Sequence, residues 1–258
     1  MRVETLGDGT AEVAVVGGIH GDEPCGVRAV EGVIEESPAV ERPVKLVVAN
    51  EEALERGVRY IDADLNRAFP GDPDAGPHEY RLAARLTDEL RGCTVLALHS
   101  TQSHPEPFAI VSGVDEFARD VVPRLPVVAA VDTGSFVDGR IFAAARSVEV
   151  ECGRQGTDRA AENAAGVVRA FLAATGVLGE PAPAREVPLF RLSDAVPKPD
   201  AEEYAVHPEN FERVDAGEVF ASAGGDPLRA AEPFYPVLMS AEGYDEVFGY
   251  AAERVGTI

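Results

Sequence analysis

Basic side chains are scarce in this 258-residue chain, and lysine is almost missing. Only Lys45 and Lys198 among the 23 basic residues are lysines, against 45 acidic residues, which leaves a formal net charge of −22. A surface this acidic repels polyanions, so nucleic acid and anionic membranes are excluded as natural partners. The acids are spread along the chain rather than gathered in a tail. They read as solvent adaptation of the kind halophilic proteins show, with self-repulsion relieved at high salt. Cysteine is sparse too: Cys25, Cys93 and Cys152 are odd in number and far apart. They form no disulfide framework and fit thiols kept in a reducing compartment. No run of apolar residues reaches the roughly 18 to 20 that a membrane helix needs. The opening MRVETLGDGTAEVAVV has no basic stretch ahead of an apolar one, so no signal peptide is expected. These absences describe a soluble, cytoplasmic protein and leave a homo-oligomer open.

What is present is a globular composition, 45% hydrophobic, at a length that suits one α/β domain with a smaller appendage. Up to about residue 175, short β-like apolar runs alternate with amphipathic helical stretches, the pattern of βα units around a mainly parallel or mixed sheet with flanking helices. Strands are expected at 12–18, 44–49, 94–98, 108–111, 127–131 and 146–150, and helices at 24–37, 78–91 and 158–174. A short helix follows Asn50, which serves as its N-cap, and ends at Gly57. The proline- and glycine-rich segment 176–188 reads as a linker between a catalytic domain at 1–175 and a small β-rich C-terminal domain at 189–258.

The sharpest segment is Gly17–Gly26, GGIHGDEPCG, where a strand ends, the chain turns on glycines, and His20 and Glu23 stand three apart before a helix. An imidazole and a carboxylate in such a turn can reach one zinc ion, and two histidines with a glutamate form a known catalytic ligand set with an open fourth position. A third ligand is needed, and His99 in VLALHST, directly after an apolar strand, offers one, with a capping residue at a strand end as the alternative. In open α/β sheets ligands bind outside the carboxyl ends of the strands, and His20 and His99 both occupy that place. By the same rule Glu151 in SVEVECGRQG stands on the rim, where a general base is required. Glu149 lies deeper on the same strand face and is the second candidate. In RYIDADLNR, Arg59 and Arg67 can fork onto a substrate carboxylate or stabilise an oxyanion. His78, His104 and His207 carry no expected role.

Taken in order, these segments resemble the succinylglutamate desuccinylase and aspartoacylase family, whose catalytic domain is similar to that of the zinc carboxypeptidases. GGIHGDEPCG is similar to the family's metal loop, RYIDADLNRAFPG to its substrate segment, LHST to the segment of its third ligand, and Glu151-Cys152-Gly153 to the position of its catalytic glutamate. The C-terminal FYPVLMSAEGY resembles the segment whose tyrosine closes over the substrate, with Tyr244 the nearest match. The resemblance implies one zinc per chain held by His20, Glu23 and His99, with Glu151 as base and Arg59 on the oxyanion. It implies Asn66, Arg67 and Asp64 on the substrate side, and Arg140 as a loose match to a further substrate arginine. It departs from the family at Ala97, where an aspartate usually stands two residues before the third ligand. The implied activity is hydrolysis of a linear amide in a small, anionic, acylated amino acid. A peptide-cleaving carboxypeptidase and a metabolite-binding protein without catalysis are the alternatives.

Overall fold

Val13–Gly17 is buried along its whole length, which a strand can be only where both faces of its sheet are covered. In the computed structural model, which describes residues 1–136 and 138–258, this strand is β2 of a ten-stranded mixed sheet. In chain order the first half comprises β1 (Arg2–Leu6), β2 (Val13–Gly17), α1 (Pro24–Glu36), β3 (Val44–Val48), α2 (Glu51–Arg56), α3 (His78–Glu89) and β4 (Thr94–Thr101). Next come β5 (Phe108–Val111), α4 (Glu116–Val121), β6 (Ala130–Asp132), β7 (Arg146–Arg154), α5 (Asp158–Ala174) and β8 (Pro188–Pro197). The chain finishes with β9 (Tyr204–Val206), β10 (Val219–Ala223), β11 (Asp226–Arg229), β12 (Tyr235–Val237) and β13 (Val247–Thr257).

The large sheet runs β1-β3-β2-β4-β7-β5-β6-β8-β13-β12. Its centre, β3-β2-β4-β7, is parallel, and β5 then pairs antiparallel with β7. Alternation along β2 sends Val13 and Val15 to one face and Ala14 and Val16 to the other. On the first face Val27, Val30 and Val33 of α1 pack with Val167, Val168 and Phe171 of α5. On the second, Leu82 and Leu86 of α3 and Leu90 just beyond it close over Ala14, Val16 and Val95. Each leucine buried in this way stabilises the fold by about 1.5–3 kcal/mol relative to an exposed one. The spacing of four among these leucines is the signal that marks α3 in the sequence.

Differences from expectation have local causes. Edge strand β1 is half exposed and lacks a continuous apolar run, and α4 is only six residues long, with Asp115 as its cap. Neither stands out against loop sequence. β7 does not stop at Val150 but runs to Arg154, because β4 continues beside it to Thr101 and supplies pairing partners.

The segment expected as a linker is irregular up to Val187, and there β8 begins. β8 pairs parallel with β6, and β13 pairs antiparallel with β8 across nearly its full length. The C-terminal strands thus extend the large sheet, while β11-β10-β9 form a separate three-stranded sheet around Phe220, Met239 and Phe248. Among the described residues no helix is long and apolar enough to cross a membrane.

Candidate metal centre and active site

The loop between β2 and α1 is shaped by close backbone approach. A side chain on Gly17 would meet the Gly26 carbonyl at 2.5 Å, and one on Gly21 would meet the Ala53 carbonyl carbon at 2.2 Å. With glycine at these positions the loop folds tightly over the strand ends, and Glu23 becomes the residue from which α1 starts. The amide of Gly21 donates to the Arg59 carbonyl at 3.1 Å, which ties this loop to the arginine segment.

His20, Glu23 and His99 are all buried, and one ligand atom from each lies within 4.8 Å of the others. His20 Nδ1 is 2.8 Å from Glu23 Oε1, and His99 Nδ1 is 3.1 Å from Glu23 Oε2. The Ser100 amide also donates to Glu23 Oε2, at 3.1 Å. Among the described residues His99 Nε2, which is buried, has no partner, a state a native protein rarely leaves unexplained. Two imidazoles and a carboxylate this close together, one ring nitrogen of them left without a partner, fit a divalent metal ion.

Parallel pairing places His99 directly opposite Glu151, and Ala97 opposite Glu149. Register partners on neighbouring strands share a face, so Glu151 rises beside His99 from the same side of the sheet. Glu151 lies inside β7 rather than at its end, and its Oε2 has no partner among the described residues. Burial, with the charges of Glu23 and Glu149 added, pushes its pKa up to about 7 against the pull of His99 and Arg140. A carboxylate poised near neutrality and free on one oxygen is suited to moving a proton.

The arginine segment is held by a residue that the motifs do not include. Glu79, in the first turn of α3, is fully buried and accepts from the amides of Ile61, Asp62 and Ala63 at 2.7, 3.0 and 3.0 Å. Thus pinned, the loop presents Arg59, which donates to Glu23 Oε1 at 2.9 Å and to Asp64 Oδ2 at 3.2 Å. Asp64 Oδ1 also lies 3.0 Å from His20 Nε2 and accepts from the Asn66 amide at 2.8 Å. Asp64 therefore holds Arg59 and His20, while Arg67 makes no ion pair among the described residues.

The buried amide side chain of Asn66 donates to Glu149 Oε1 at 2.8 Å and accepts from the Ile141 amide at 3.0 Å. Glu149, fully buried, takes an ion pair from Arg140 on its other oxygen. Ala97 stands opposite it on β4, so the acid at this level of the sheet is on β7. Arg140 and Arg67 both line the cleft, and Tyr244, Ser240 and Leu238 line it from the C-terminal region. Burial raises the pKa of Tyr244 and keeps its phenol protonated, able to donate. Gln102 and Gln155, hydrogen-bonded to each other at 2.7 Å, complete the rim. Neither they nor Glu79 carried a sequence signal, because each acts through a contact with a distant loop. His104 meets Phe211 edge to face outside this cleft, with ring centroids 5.3 Å apart.

Fold and site together define a class: an α/β protein that gathers imidazoles and carboxylates where its parallel strands end. The chain belongs to the succinylglutamate desuccinylase/aspartoacylase catalytic domain family, whose model matches residues 9–171. Among solved structures it is similar to a product-bound ectoine utilization protein EutE from Ruegeria pomeroyi, with a TM-score of 0.80 and 20% identity over 98% of this chain and 87% of that one. It is similar to a succinylglutamate desuccinylase/aspartoacylase from Rhodobacter sphaeroides, with a TM-score of 0.79 and 17% identity over 98% and 89%. Murine aminoacylase 3 follows with a TM-score of 0.73 and 22% identity over 96% and 97%. No curated protein matches the chain in sequence.

Proposed function

We propose that this chain is a zinc-dependent deacylase that hydrolyses the amide bond of a small N-acyl amino acid. The observation that carries this reading is the convergence of His20, Glu23 and His99 with Glu151 in register beside His99. His20, Glu23 and His99 would hold one zinc ion, which when bound would supply Lewis acidity for amide hydrolysis. Glu151 accepts the proton of the attacking water as its oxygen bonds to the carbonyl carbon. It then delivers the proton to the departing nitrogen, so that amide and water become carboxylic acid and amine. Arg59, oriented by Glu23 and Asp64, stabilises the oxyanion, an effect worth about 3–4 kcal/mol for a well-placed donor. Arg67 receives the substrate carboxylate, and Tyr244 donates from the C-terminal side. The C-terminal residues Leu238, Ser240 and Tyr244, which line the cleft, support a small substrate over a peptide.

The test is a panel of N-acyl amino acids offered to the zinc-loaded protein, with Glu151→Ala alongside. The wild type is expected to turn over at least one member, and the variant to keep one zinc per chain while losing about 100-fold or more in rate. A variant that hydrolyses normally removes Glu151 as the base. Stable zinc without turnover of any member removes the deacylase reading.

A further inference from the structure

Three guanidinium groups line the cleft, and they do not offer equal charge to a ligand. Arg59 is directed by Glu23 and Asp64 and, with Glu23 committed to the metal, serves the oxyanion rather than a substrate carboxylate. Arg140 is buried and paired with Glu149, which has no solvent exposure to screen it. Arg67 makes no ion pair among the described residues, and its Nη1 donates only to the Asn66 carbonyl, at 2.7 Å. A cation in contact with a buried anion presents little net field to a third charge, and a ligand anion brought beside it feels the acid behind.

We propose that Glu149 sets the charge of the substrate. It cancels Arg140 and leaves Arg67 as the guanidinium for the substrate carboxylate, so that the cleft selects acylated amino acids with one carboxylate over those with two. The second hold on Glu149, from Asn66, fixes that carboxylate where it faces Arg140 rather than the cleft. A second ligand carboxylate placed near Arg140 approaches Glu149 as a like charge, an arrangement that interfaces penalise strongly.

The inference rests on the deacylase reading, and its test separates the two. N-acetylglutamine and N-acetylglutamate are nearly identical in shape and differ by one charge. The zinc-loaded wild type is expected to favour the glutamine compound in kcat/KM by about tenfold or more. Glu149→Gln, which keeps the shape and removes the charge, is expected to move that ratio toward the glutamate compound by about tenfold. Equal use of both compounds by the wild type, or an unchanged ratio in a folded Glu149→Gln, overturns the proposal. If that variant fails to fold with Arg140 left unpaired, the Arg140→Met/Glu149→Met double variant replaces the pair with apolar side chains of similar reach. Whatever it costs in rate, it is expected to retain the preference for the single carboxylate, because it leaves the net charge unchanged. Loss of that preference rejects the idea. Calorimetric binding of the same two compounds to the zinc-loaded Glu151→Ala variant reads the selectivity without turnover. Absence of hydrolysis then counts against the deacylase reading alone.

Discussion

At His20 burial and charge oppose each other. Desolvation lowers the pKa of the imidazole, but the charge of Glu23 and the hydrogen bonds to Asp64 and Glu23 outweigh it and raise the value to about 9 from 6.5. In the metal-free protein the ring is therefore protonated at neutral pH, whereas a metal ligand must give up that proton. Because the folded value lies above the unfolded one, the stability from these pairs is fully present below pH 6.5 and is lost as pH rises through about 9. Two outcomes are expected. Zinc uptake at pH 7 releases about one proton per chain, and the melting temperature of the metal-free protein falls between pH 6.5 and 9. Calorimetry in buffers of different ionisation heat checks the first, and uptake without proton release takes His20 out of the ligand set. At this scale the sequence showed residue types in the right order. It could not show that Asp64 would reach His20, 44 positions away, because that contact exists only after the loop has folded back.

At the scale of elements, the anchoring of the arginine loop to α3 is the contact on which the site's geometry depends. Burial works to raise the pKa of Glu79, and three backbone amides with Asn50 outweigh it and hold the group ionised. Its stabilisation is therefore present above the ordinary carboxylate range and is lost as pH falls below it. Glu79→Ala leaves the amides of Ile61, Asp62 and Ala63 without their acceptor and is expected to cost about 2–4 kcal/mol of stability. Urea unfolding with an unchanged slope measures this, and a loss within experimental error shows that the loop holds itself. Glu79 is legible in the sequence only as an acid in the first turn of a helix, a common and unspecific feature. The helices themselves are legible because their periodicity is local: valines along α1 and leucines at a spacing of four along α3. The half-exposed β1 and the short α4 give no such periodicity, and β13 finds its partner β8 some 60 positions back in the chain.

For the molecule as a whole, the sheet does not end where the composition changes. β8 covers the edge of β6, and Phe190 and Leu192 complete a cluster with Phe108, Ile110 and Val131. A chain cut after Val187 exposes this strand edge and these side chains, and uncapped edges invite aggregation. The truncated chain is expected to be insoluble or partly unfolded, as checked by sedimentation and circular dichroism. A folded, zinc-binding fragment would show that the first 187 residues are a self-sufficient domain. The cleft also depends on this region, since Leu238, Ser240 and Tyr244 form its far wall.

The sequence by itself determined what depends on neighbours along the chain: the βα alternation, the glycine turn that carries His20 and Glu23, and the apolar strands that lead to His99 and Glu151. These are short-range patterns, and hydrophobic periodicity with backbone sterics is enough to set them. Tertiary structure alone decided the register that sets Glu151 beside His99, the grip of Glu79 on the arginine loop, and the pairing of Glu149 with Arg140. It also decided that β8, β12 and β13 of the last 70 residues join the main sheet, while β9, β10 and β11 pair apart from it. The reason is physical: strand pairing and buried ion pairs gain their energy from groups far apart in sequence, and no local pattern records which distant group will be brought near.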